Sequence, residues 1–260
     1  MEVLQIVGMT LLAGLAMPAG ALIACAENFH SQWLESGVRR TIMAFGGGAL
    51  LSAIALVLVP EGTRQLDIVS VAICFASGGI AFMLLDVILD RFKSPAGQLV
   101  AMLSDFIPEA LALGAAIAAG SPAGFLLAAL MGLQNLPEGF NSFRELVDGR
   151  PKTKFRNLKV VLAFGAMALL GPVAGLAGYF FLASYPQLVA GVMLFAAGGI
   201  LYVVFQDIAP AASCPTRNKS KEIAGQPMQE SEASDSKSWG SSLGCVFGFL
   251  LGLLGSMLVG

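Results

Sequence analysis

The sequence predicts an all-α polytopic membrane protein with eight transmembrane helices. Three observations carry that reading. Of 260 residues, 56% are hydrophobic and 12% charged, where soluble domains carry about 25% charged residues; the mean hydropathy is +0.78. Eight apolar stretches each approach the roughly 20 residues needed to cross about 30 Å of hydrocarbon. Finally, Lys and Arg fall almost wholly on alternate connections, as the cytoplasmic loops of spanning proteins do.

The first stretch, 3–24, has no Lys or Arg before its apolar run. It therefore reads as a spanning helix and not as a cleaved leader, whose start is basic. Further spans follow at 40–60, 67–89, 98–120, 122–145, 158–183, 187–211 and 240–259. Gly120, Ser121 and Pro122 part the fourth from the fifth, and Tyr185, Pro186 and Gln187 part the sixth from the seventh. Two connections are longer. The one around 143–157 is basic, and 213–239 is rich in Ser, Lys and Glu and is expected to be a disordered cytoplasmic loop.

Of the 15 Lys and Arg residues, Arg64 alone lies in an even-numbered connection; Arg39, Arg40, Arg91, Lys93 and the rest lie in odd ones. Positive loops stay inside, so both termini are expected outside, in an integral plasma (inner) membrane protein. An even number of spans requires the termini to share a side, so span count and charge agree. A net charge of −2 offers no basic surface for nucleic acid. Cys25, Cys74, Cys214 and Cys245 form no CxxC pair and read as free thiols. The segments 45–60 and 195–210 share Phe, Gly, Leu and Pro at a spacing of 150 residues. They belong to spans of opposite direction, which an inverted repeat produces. The expected repeat relates spans 1–3 to spans 6–8 around spans 4 and 5.

Ionisable groups at mid-bilayer cost about 2.5–3.5 kcal/mol each even on the lenient scale, so they point to function. Span four carries Asp105, Pro108 and Glu109; span five carries Gln134, Asn135, Pro137 and Glu138. In each, a polar group and a Glu stand four residues apart, on one helix face. Each Glu follows a Pro, which frees a backbone carbonyl one turn earlier. At 1.5 Å rise per residue, Asp105 comes level with Glu138 and Glu109 with Gln134, near the midplane. Three carboxylates there repel one another unless a divalent cation or protons compensate. Asp207, before Pro210, is a further candidate near the cytoplasmic end of span seven. Asp86 and Asp90 read as a wetted helix end, and His30, the single histidine, as incidental.

The segment Gln134-Asn135-Leu136-Pro137-Glu138-Gly139, the related Asp105-to-Ala110 stretch and the Gln206-Asp207 end of span seven resemble the ZIP (Zrt/Irt-like) family of divalent metal transporters. That resemblance implies eight spans with both termini outside. It implies a metal site made by Asp105, Glu109, Gln134 and Glu138, with Asn135 at a second-site position and Asp207 on the cytoplasmic side. The chain departs from the family at two positions: Asp105 replaces the usual His, and Phe106 replaces the usual Asn, so a single all-oxygen site is expected. Oxygen donors suit manganese or ferrous iron better than zinc, which favours nitrogen and sulfur.

The expected function is divalent metal transport toward the cytoplasm through one transmembrane transport domain covering 1–260. The cargo is a zinc-, iron- or manganese-class ion, with no organic cofactor. Alternatives are a proton-coupled transporter of another solute and a non-transporting metal sensor. An enzyme is not expected: there is no HExxH, and one His serves neither a metalloprotease nor a Ser–His pair. The partners are the lipid bilayer and divalent metal ions, with no nucleic acid; a homodimer stays open.

Overall fold

A computed structural model describes residues 2–26, 32–92, 95–147, 154–182, 184–210 and 239–259. They are helical apart from turns at 64–67, 119–122, 169 and 184–185, with no strand among them. Helix α1 spans Glu2–Ala26. Helix α2 (Gln32–Ala53) runs through a π-helical stretch, Ile54–Leu58, into α3 (Val59–Thr63). Then come α4 (Ile68–Phe92), α5 (Pro95–Ala118) and α6 (Ala123–Val147). Helices α7 (Lys154–Ala168) and α8 (Leu170–Ala177) form one rod, closed by a π stretch at Gly178–Leu182. Helix α9 (Pro186–Val203) ends in another, Val204–Ile208, and α10 is Trp239–Val259. His30 and the segment 213–238 lie outside the described residues; Trp239 opens α10.

Seven of the eight rods are long and apolar enough to cross a membrane. The eighth, α6, has the same 25 residues as α1 and α4, but Gln134, Asn135 and Glu138 interrupt its apolar run. It is also among the rods most surrounded by protein, with Leu127, Leu130, Met131, Gln134 and Asn135 all buried. The outer rods instead turn large apolar side chains outward, among them Leu12, Ile73, Phe181 and Leu254. Lipid solvates such faces, whereas water would penalise them. The molecule is therefore a membrane-embedded helical bundle with α5 and α6 at its centre.

Helix α2 packs on α10, α4 on α9, α1 on α6 and α5 on α8. At these crossings glycines let backbones touch, the usual device between helices in lipid. Gly48 meets the Cys245 carbonyl and Gly248 that of Phe45; Gly198 meets the Phe75 carbonyl and Gly78 that of Phe195. Likewise Gly20 meets the Leu136 carbonyl and Gly139 that of Met17, while Gly178 meets that of Leu111 and Gly114 that of Gly175.

Two ends show how the chain turns. Gly120, at φ 67°, closes α5, its N–H donating to the Ile117 carbonyl at 2.9 Å. Left-handed backbone there favours glycine. Asp67 caps α4, accepting from the Val69 and Ser70 amides (3.0 and 3.3 Å) and the Ser70 hydroxyl (2.6 Å). The Ser70 bonds hold its carboxyl below the usual aspartate range. A depressed folded pKa gives stability that is present above the unfolded value and is lost as pH falls through the folded one. Asp67→Ala is thus expected to fray the start of α4 at neutral pH. The difference from wild type in thermal melting should shrink as pH falls through the lowered folded-state value of Asp67; a difference independent of pH would remove the charged cap as its cause.

Candidate cation site and its cavity

Pro108 and Pro137 sit inside α5 and α6 without breaking either helix. The helices therefore deliver their polar groups to one level. Gln134 Nε2 donates to both oxygens of Glu109, each at 2.7 Å, and both residues are buried. The level pairing of Glu109 with Gln134 expected from helical rise is thus a direct bond.

A cavity of about 590 Å³ reaches this point from the bundle end where Leu89, Glu145 and Pro210 lie. Its inner wall is Asp105, Gln134 and Glu138, and its flanks carry Asp86, Glu145 and Asp207. No Lys or Arg is among the described residues that line it. Five carboxylates along low-dielectric walls focus a negative potential, which concentrates cations. Asp105 lies within electrostatic range of Glu138, Glu109 and Asp207.

Two acceptors at the inner wall are left over. Asp105 Oδ1 and Gln134 Oε1 are buried and receive no hydrogen bond. A buried oxygen without a donor costs on the order of 1–3 kcal/mol, and a cation or a proton relieves it. The donor set is wholly oxygen, which suits hard divalent ions.

The structure corrects the expected convergence in one respect. The three carboxylates do not share one pocket: Glu109 is fully buried and does not line the cavity, with Gln134 between. Among the described residues no three His, Cys, Asp or Glu side chains stand together as a ready cage for an ion. Asn135 also faces elsewhere. Its Nδ2 donates to the Ala13 carbonyl of α1 at 2.9 Å, and it does not line the cavity. Phe106 is buried too, its ring filling the notch at Gly14 and Gly171. The second positions of both motifs thus grip α1. Asp207 is exposed and lines the cavity toward its mouth.

Several lining groups escaped the sequence reading. Asp86, taken as a wetted helix end, accepts from Tyr202 Oη at 2.9 Å across α4 and α9. Asn141 and Glu145 face the mouth and are tied to α2, where Arg39 Nε donates to Asn141 Oδ1 (2.7 Å) and Arg39 Nη2 to Glu145 (3.2 Å). Polar residues one and two turns beyond Glu138 on its own face were the available signal.

Fold and site together define a polytopic helical membrane protein with an acidic cavity that ends at mid-bundle. Compared with known proteins, the chain matches no family model and no curated protein.

Proposed function

We infer that the protein is a divalent-cation transporter of ZIP type, carrying its ion toward the cytoplasm. The observation that carries this reading is the acidic cavity ending on two donorless oxygens, Asp105 Oδ1 and Gln134 Oε1. Asp105 and Glu138 meet the ion first, in this reading. Gln134 then exchanges its bonds to Glu109 for the cation, so that Glu109 completes the oxygen set. The basic connections set the cavity mouth in the cytoplasm and both termini outside.

The inverted repeat belongs to the same reading and gains support from the helix crossings. Phe45 and Gly48 correspond to Phe195 and Gly198, 150 residues on; Phe75 and Gly78 correspond to Cys245 and Gly248, 170 on. Exchanging these partners turns the α2–α10 contacts into the α4–α9 contacts. In the same way Met17 and Gly20 correspond to Gly175 and Gly178, and Leu111 and Gly114 to Leu136 and Gly139. The π stretches Ile54–Leu58 and Val204–Ile208 also stand 150 apart.

The lack of a ready three-carboxylate cage favours a second reading, in which the acids carry protons beside another solute. Uptake into proteoliposomes separates the two. Manganese or ferrous iron uptake that zinc does not suppress by orders of magnitude is expected. Overwhelming zinc preference would refute the oxygen-site argument, and flux that needs a pH gradient but no metal would select the proton reading.

A further inference from the structure

We propose that an anionic phospholipid binds between α1, α2, α6 and α10, with one acyl chain in an apolar groove and its phosphate at Arg144. Binding there does not depend on what the acidic cavity carries.

The groove has a volume of about 500 Å³ and takes its walls from all four helices. Ile23 of α1, Phe45 of α2, Pro137 and Phe140 of α6, and Leu243 and Phe247 of α10 supply most of its apolar surface. Among the described residues no charged side chain lines it. Its one hydroxyl, that of Thr41, donates back to the Gly37 carbonyl at 3.1 Å. Gly240 and Gly244 bring no side chain to fill it. Ile23, Leu243 and Phe247 are exposed, so the groove opens on a face that lipid solvates. An acyl chain entering from that side suits every wall, whereas a polar solute would lose its hydrogen bonds to water and gain none.

Charge selects the headgroup. Arg144 lies one turn beyond Phe140 on α6, and its guanidinium carbon stands 5.7 Å from the centroid of the Phe140 ring. Because Phe140 lines the groove, the guanidinium sits at the groove's end. Stacking on an aromatic ring holds the planar group in place, and its paired N–H bonds match a phosphate. Arg40, next to Thr41, brings a second positive charge to this end. The adjacent acid, Glu145, is engaged elsewhere: Arg39 bonds it at 3.2 Å, and it lines the acidic cavity. In the proposed orientation this end of the bundle is cytoplasmic, where basic pockets between spanning helices take anionic headgroups. Pro137 lines the groove and the acidic cavity alike. A tail in the groove therefore packs on the back of the wall that carries Glu138.

Native mass spectrometry of the full chain in detergent tests the site, with dioleoyl phosphatidylglycerol and dioleoyl phosphatidylcholine as probes. Wild type should retain one lipid and favour phosphatidylglycerol by about fivefold, as one basic residue near an anionic lipid contributes. Arg144→Gln should bring the two lipids to parity, and Arg144→Lys should keep most of the preference. Leu243→Trp places a large ring in the groove from an exposed position and should lower retention of both lipids. Leu254→Trp, exposed on the same helix but outside the groove, should retain them as wild type does. Equal retention of the two lipids by wild type, or a preference unchanged by Arg144→Gln, would overturn the headgroup site. Equal retention by Leu243→Trp and Leu254→Trp would overturn the groove as the seat of the tail. A dimer that Leu243→Trp dissolves would make a second copy of the chain the occupant and would also overturn it. Retention needs no metal. Failure of the cation reading would leave the lipid counts untouched, and loss of the lipid preference would leave the cation reading standing.

Discussion

Glu138→Gln is expected to abolish cation uptake, by at least about 100-fold, the upper end of what losing even a supporting group costs a metal site. Gln keeps the volume and the helix propensity of Glu, so the change isolates the charge. Glu138 forms the inner wall of the cavity with Asp105 and Gln134, and it is the first full charge on α6 that an ion meets at depth. Without it, Asp105 alone must compensate a divalent ion in a medium where water no longer helps. Glu109→Gln should be less severe at the binding step, because a glutamine there still accepts a bond from Gln134. Asp207→Asn, at an exposed position, should cost less still, since screening weakens charges in water. Initial uptake rates and ion affinities measured on the three variants give this order. Wild-type uptake by Glu138→Gln would end the site assignment.

Much of this geometry was legible in the sequence. The eight stretches were visible because lipid demands long apolar runs, and α6 was recognised despite its polar break because the break itself carried a pattern. The pairing of Glu109 with Gln134 followed from helical rise and antiparallel direction alone. Asn135 could point at the site or at a neighbouring helix by sequence alone; adjacent residues do not face the same side of a helix, and its amide reaches α1. Asp86, Asn141 and Glu145 lie near rod ends, where a solvated surface and a cavity wall have the same composition. Only the packing of α4, α6 and α9 tells them apart. The expected relation of span three to span eight had little residue-level support in the sequence, because which glycine touches which carbonyl is a property of the assembled bundle.

Those glycines give the second large effect. Gly48→Ala, Gly78→Ala, Gly198→Ala and Gly248→Ala are each expected to destabilise the protein by about 1–3 kcal/mol or more through overpacking. A methyl at Gly48 meets the carbonyl carbon of Cys245 at 2.9 Å, and one at Gly198 meets that of Phe75 at 2.9 Å. The corresponding approaches are 2.7 Å at Gly78 and 3.0 Å at Gly248. The obstacle in all four is backbone, which cannot turn aside as a side chain does, so the helices must part. Helix propensity acts the other way, favouring Ala over Gly by about 1 kcal/mol. Gly8 and Gly165, with nothing within 4 Å, isolate that opposing term: Gly8→Ala and Gly165→Ala should be neutral or slightly stabilising. Thermal unfolding in detergent measures the whole set. The proposed repeat adds a finer expectation, since under it Gly48 with Gly198 and Gly78 with Gly248 occupy equivalent crossings. Losses matched within each pair are what two copies of one interface produce. Tolerance of Ala at Gly48 beside a large loss at Gly198 would mean that the α2–α10 and α4–α9 crossings are different contacts, and the pseudo-symmetry would lose its support.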